Sequence, residues 1–121
     1  VNAQTSISVI DFIRIKDNKK AEALYFYRNN WKVYRDTALK QGYISSYKMY
    51  EVIPDSLHYY DLILVTGYAD SIQFKNSEAR FNKIIKGMRP DGPRLMNDLK
   101  PVDFRENISS SRVETLLAGG Q

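Results

Sequence analysis

Most of the chemistry this chain can offer lies in one tryptophan, nine tyrosines and a single histidine. Trp31, Tyr34, Tyr47, Tyr50 and Tyr68 are candidates to line an aromatic pocket whose hydroxyls orient a small apolar or aromatic ligand. The competing reading makes the same rings core and interface. Tyr25 and Tyr27 flank the same helical stripe as packing residues. Asp11 and Lys48 are charged positions inside strand-like runs, where a charge is costly unless paired or wet. They mark either the wet part of a cleft or a strand end. His58 is the one side chain that ordinarily titrates near neutral pH. It is a candidate general base or haem ligand, set against the plain reading of an exposed turn residue.

Composition removes several classes. With no Cys there are no disulfides, thiolate metal sites or cysteine nucleophiles, and one His rules out a multi-histidine metal site within a chain. The glycines are scattered, and "GMRPDGP" lacks the Lys and Ser/Thr of a phosphate loop. No nucleophile elbow is present. No apolar run reaches the ~20 residues of a membrane helix. The reading therefore takes no cofactor and no metal.

The elements that must position these residues follow from periodicity. "SISVIDFIRI", 6 to 15, reads as a strand with Ile7, Val9, Asp11, Ile13 and Ile15 on one face and Ile10 and Phe12 on the other. A helix follows, capped by Asp17 or Asn18, with Leu24, Tyr27, Trp31, Tyr34 and Ala38 on one stripe and Arg28, Lys32 and Arg35 on the flank. Gly42 ends it. The second strand spans 43 to 53, and Pro54 and Asp55 open a turn. The third strand runs from Tyr60 to Tyr68, and its "LILV" segment is apolar on both faces. Asp70 caps a second helix, with Gln73 completing a capping box and Phe74, Phe81, Ile85 and Met88 on the apolar side. Pro93 opens a short helix through Lys100, Pro101 stops it, and 110 to 117 forms a fourth strand.

This α+β order, β-α-β-β-α-β with an extra short helix, predicts a four-stranded antiparallel sheet with both long helices on one face. The other face of the first and third strands is then an apolar patch that needs a cover, and a second copy around a two-fold axis is the simplest one. The charge of +4 is concentrated on the two helix candidates: Lys19 to Lys40 and Ser71 to Arg89 each carry an excess of four basic residues. Solvated helix faces account for it. The third strand lacks the aromatic-basic pattern of an RNA-recognition sheet, so no nucleic-acid partner is expected.

That order, "YADSIQF" after the third strand, and "ALKQGYISSYKMYEV" from the first helix into the second strand resemble the dimeric α/β-barrel superfamily of ferredoxin-like domains. The superfamily includes antibiotic-biosynthesis-monooxygenase-like and stress-responsive barrel proteins, and exported bacterial members. The resemblance covers residues 6 to 117 as one domain, between an N-terminal segment 1–5 and a loose tail 118–121. It implies a homodimer joined through the sheet face, forming a dimeric α/β barrel, with a cleft between sheet and helices. It implies no single chemistry. Haem-binding relatives use a helix or cleft histidine, which this sequence lacks. Asn29, Asn30 and Trp31 compare with the Asn and Trp of cofactor-free monooxygenases, and no role is transferred to them.

Val1 and Ala3 stand as small-x-small, the pattern cut by signal peptidase, which would make Gln4 the mature N-terminus and the protein periplasmic or extracellular. A cloning remnant or a fragment of a cytoplasmic chain gives the same start. The expectation is an exported binding or interaction module. The alternative is a cofactor-free monooxygenase acting on an aromatic or polyketide-like compound.

Overall fold

A computed structural model of the chain describes residues 6–54 and 57–120. The cleavage point expected after Ala3 and the Asp55 half of the expected turn lie outside the described residues. Four strands form one sheet: β1 (Ile7–Ile15), β2 (Ser46–Glu51), β3 (Leu62–Tyr68) and β4 (Arg105–Glu114). Their order is β2-β3-β1-β4, and every neighbouring pair is antiparallel. This is the ferredoxin-like arrangement that the element order predicts.

Period-two alternation sorts the central strands cleanly. Ile7 and Ile13 of β1, with Leu62, Leu64 and Tyr68 of β3, point to the helices and are almost fully buried. Ile10 and Phe12 pair with Val65 and Ile63 on the opposite, uncovered face. The apolar "LILV" run is thus half core and half open face.

The helical layer consists of α1 (Lys20–Phe26), a π-helical segment (Tyr27–Trp31), α2 (Lys32–Lys40), α3 (Ser71–Lys75), α4 (Ser77–Met88) and α5 (Pro101–Phe104). The core beneath it is split. Ile7, Tyr34, Ala38, Ile44, Tyr68 and Ile84 form one cluster, and Ile13, Tyr27, Leu62 and Leu64 form another. Between Ile7 and Ile13 on the same face of β1 stands Asp11, and between Leu64 and Tyr68 on β3 stands Thr66. Polar residues in mid-strand interrupt the core there.

Several boundaries differ from the sequence expectation. Asp17 and Asn18 do not cap the first helix; both are left-handed, at φ 54° and 57°. The cap position is Lys19, without a side-chain bond. Asp and Asn tolerate that conformation, and the tight turn into the helix uses it. The Asp70 cap forms as expected, with Gln73 N–H donating to Asp70 Oδ1 at 2.8 Å and Gln73 Oε1 accepting from Ala69 N–H at 2.7 Å. The helix after it breaks at Asn76, and Ile84, not Ile85 or Met88, is its buried residue.

Pro101 opens a helix where it was expected to stop one, because a missing N–H costs nothing in a first turn. That helix buries Phe104 completely against Phe26, with ring centroids 5.5 Å apart. β4 therefore begins at Arg105 and ends at Glu114, earlier than the expected 110 to 117. Leu116 and Leu117 lie beyond it, fully exposed.

Candidate functional site

Where the core divides, a cleft of about 370 Å³ opens between sheet and helices. Asp11, Ile13 and Leu64 form its floor. Phe26, Tyr27, Asn30, Trp31, Tyr34 and Arg35 form one wall; Ile85, Pro93, Arg105 and Asn107 complete it. Its size falls at the small end of the range for small-molecule sites.

The helical wall owes its shape to the π segment. Asn29 and Asn30 each donate a side-chain amide hydrogen to the carbonyl four residues back, Tyr25 O and Phe26 O, both at 2.8 Å. Side chains that bond the i−4 carbonyl compete with the regular ladder. Here the backbone widens, and Lys32 N–H reaches Tyr27 O, five residues away. Tyr27, Asn30, Trp31 and Tyr34 all face the cleft as a result.

Asn30 also holds the far rim. Its amide donates to Arg94 O at 2.8 Å, and its Oδ1 accepts from Arg94 N–H at 2.8 Å and Arg89 Nε at 3.4 Å. Both its donors and both acceptor sites are used. Asn30 is a clamp that ties the segment after α4 to the helix, and that segment carries Pro93 to the cleft.

Arg35 is gripped between two rings, its guanidinium carbon 4.5 Å from the centre of Trp31 and 4.6 Å from that of Phe81. Its Nε donates to Thr66 Oγ1 at 3.0 Å. Burial pulls its pKa down to about 10, so the group stays cationic at neutral pH. Trp31 is buttressed from behind by an edge-on contact with Tyr47 at 5.4 Å, and the Tyr47 hydroxyl donates to Asp36 at 2.6 Å. The Tyr27 phenol is pushed up to about 12, mainly by burial; nearby Arg105 opposes the shift and Asp11 adds to it. It remains a neutral hydrogen-bonding group over the working range. Burial also raises Tyr34, against the pull of Arg89.

The sheet side depends on one irregularity. β4 pairs with β1 as Asp11↔Ser110 and Phe12↔Ser109, then skips Ile108 and resumes as Ile13↔Asn107 and Ile15↔Arg105. This β-bulge changes which residues face inward. Without it Glu106 would lie opposite Ile15, on the helix side. With it Arg105 takes that place, and Glu106 turns outward to pair with Arg14 at 3.5 Å. The Arg105 guanidinium lies over Phe26 at 5.7 Å, and its buried Nε has no hydrogen-bond partner among the described residues. The Ser110 hydroxyl bonds to Asp11 Oδ1. Among the described residues no ion pair joins Asp11 to either arginine.

Of the residues singled out in the sequence, Asp11, Trp31 and Tyr34 line the cleft, and Tyr47 stands one layer behind. Tyr68 is on the helix side but belongs to the core, edge-on to Phe74 at 5.6 Å. Lys48 and Tyr50 pair with Val65 and Ile63 and so share the open face of the sheet. His58 lies in the β2–β3 connection, exposed, 3.3 Å from Asp61 Oδ1 and outside the cleft. Asp61 in turn accepts Ile15 N–H at 2.6 Å. Phe26, Tyr27, Arg35, Arg105 and Asn107 are the cleft residues the sequence did not single out. The signal available for Tyr27 and Arg35 was their adjacency to the aromatic stripe.

No family model matches the chain, and no curated protein does. Several solved structures share its fold. HapK from Hahella chejuensis is 15% identical, with 95% of this chain and 97% of that chain covered and a TM-score of 0.56. A protein from Shewanella loihica PV-4 described as a "putative monooxygenase" is 17% identical, with 82% and 99% covered and a TM-score of 0.50. A protein of unknown function from Bacteroides fragilis NCTC 9343, described as dimeric and ferredoxin-like, is 11% identical, with 92% and 94% covered and a TM-score of 0.50. At these identities the likeness is one of fold, the ferredoxin-like fold that the resemblance in the sequence implied. Among the described residues no helix is long and apolar enough to cross a membrane.

Proposed function

We propose that this chain is a dimeric module that binds a small aromatic molecule in the cleft between its sheet and its helices. The observation that carries the reading is the preformed, aromatic-walled cleft of about 370 Å³, held open by the π segment and the Asn30 clamp. The dimer reading is supported by the open face of β1 and β3, where Ile10, Phe12, Ile63 and Val65 form an uncovered apolar patch. The Bacteroides fragilis neighbour is described as dimeric.

A second reading, cofactor-free oxygenation of an aromatic or polyketide-like compound, draws on Asp11. Among the described residues it is the one carboxylate lining the cleft, and such chemistry begins with removal of a proton from the substrate. The Shewanella loihica neighbour bears a monooxygenase description. Asn30 gives this reading no help, since its amide has no free hydrogen-bonding capacity.

Trp31 is the chain's only tryptophan and lines the cleft, so its fluorescence reports occupancy directly. Fused-ring quinones should quench it saturably, and Ile85→Phe, which fills the cleft, should weaken the quenching. Quenching that rises only linearly with concentration in folded wild type overturns the binding reading. Oxygen uptake with anthrone that disappears in Asp11→Asn would decide for the oxygenase.

A further inference from the structure

The cleft is lined by aromatic rings, yet it contains two guanidinium groups and one carboxylate. Arg35 is held by two rings, Trp31 and Phe81, and by Thr66 at its Nε, which leaves the outer edge of its fork without a protein acceptor among the described residues. Arg105 brings a buried Nε with no acceptor at all among them. Buried donors are nearly always satisfied in folded proteins, so a persistent orphan asks for a partner supplied from outside the chain. Asp11 does not serve as one: it bonds to Ser110 and forms no ion pair with either arginine. The cleft therefore holds an excess of one positive charge.

Resting on the binding reading above, we propose that the ligand is an aromatic oxyanion, a planar ring conjugated to a carboxylate or an ionised phenol. Its oxygens are received by Arg105 and Arg35, and its ring lies along Trp31, Tyr34 and Phe26. The two arginines suit this task through geometry as well as charge. A planar guanidinium offers paired N–H donors that match a carboxylate, and both forks are already oriented by the rings beneath them. Tyr27, kept neutral by its burial, adds a hydroxyl to the same wall. Asp11 then sets a limit on charge. A dianion would face its carboxylate, so one ionised oxygen fits better than two.

Calorimetric titration with 2-naphthoate and with its neutral isostere 2-naphthamide separates the ring from the charge. Wild type should bind 2-naphthoate about tenfold or more tighter. Arg105→Gln and Arg35→Gln should each remove about that factor for 2-naphthoate and lower 2-naphthamide affinity far less. Circular dichroism and thermal melting establish that each variant is folded. Because Arg35→Gln disturbs a packed site, Arg105→Lys is the second variant, and it should retain part of the preference by charge alone. Lys48→Gln, on the open face of the sheet, should change neither affinity. Equal affinity for both compounds in wild type overturns the oxyanion inference and leaves the cleft a neutral aromatic site. Failure of both compounds and of the quinones overturns the binding reading itself.

Discussion

The two faces of the central strands differ in an unexpected direction. The face covered by helices is polar at its middle, with Asp11 and Thr66 of the central strands, and Asn107 and Arg105 of the edge strand β4, directed toward the helices. The face left open has an apolar centre, with Ile10, Phe12, Ile63 and Val65 side by side and the Tyr60 ring 4.7 Å from Phe12. A lone monomer would ordinarily have neither an apolar centre on its open face nor a charge at the middle of its covered one. The proposed ligand and the proposed second copy would each answer one of these two departures.

Adjacent residues of β3 give the strongest way to break this comparison. Leu64→Glu puts a carboxylate into the helix-covered core and should abolish folding, with loss of the cooperative melt. Even Leu64→Ala should cost about 2–5 kcal/mol. Val65→Glu, one residue on, should leave the melt and reduce the mass in light scattering from twice 14.0 kDa to 14.0 kDa. A wild type that scatters as a single chain at micromolar concentration would remove the partner from the open face.

The covered face can be sharpened by pH. Tyr27 titrates near 12 when folded against 10 when unfolded, so the unfolded chain loses that proton first and stability falls as pH rises from 10 to 12. Arg35 runs the other way. Its folded value of about 10 lies below the ordinary 12.5, so the unfolded chain keeps the proton longer and stability rises across the same window. The two offset each other in the wild type. Tyr27→Phe removes only the falling part. Relative to wild type, its stability should therefore improve by about 2–3 kcal/mol between about pH 9 and about pH 12. A stability difference that stays constant over that range, in urea unfolding, would place Tyr27 in water.

The smallest effect is expected at His58, the candidate general base of the sequence reading. His58 and Asp61 are partly exposed, and such pairs contribute at most about 1 kcal/mol. His58→Ala should leave 2-naphthoate affinity within about twofold, the scale of an effect without direct contact. A tenfold loss would bring the β2–β3 connection into the site.

The sequence carried the two faces of β1 and β3 clearly, because period-two alternation survives wherever one side is buried and the other is not. Asp11 was legible for the same reason, as a charge on a core-facing row. Arg35 was read as a flank residue, since an arginine beside an aromatic stripe ordinarily lies in water. Only the Trp31 and Phe81 rings, centred 4.5 Å and 4.6 Å from its guanidinium carbon, show otherwise. Arg105 was hidden more deeply. In "RENISSSR" there is one apolar residue, Ile108, so no alternation announces an edge strand, and nothing in the letters marks where the bulge falls. Pro101 misled because a proline ends a helix from one side and begins one from the other, and the spelling is the same.

The bulge also bears on how such a site changes over generations. Glu106 and Arg105 are neighbours in the chain, and the single extra residue between Ser109 and Asn107 decides which of them enters the cleft. Removing Ile108 would close the bulge and keep Arg105 opposite Ile15, whereas pairing the same residues without the bulge would slide the start of β4 by one and exchange a cation for an anion at the site. Charge preference is thereby written in the register of an edge strand as well as in its composition. Relatives aligned column by column across that strand would share their arginines and still differ in what their clefts attract.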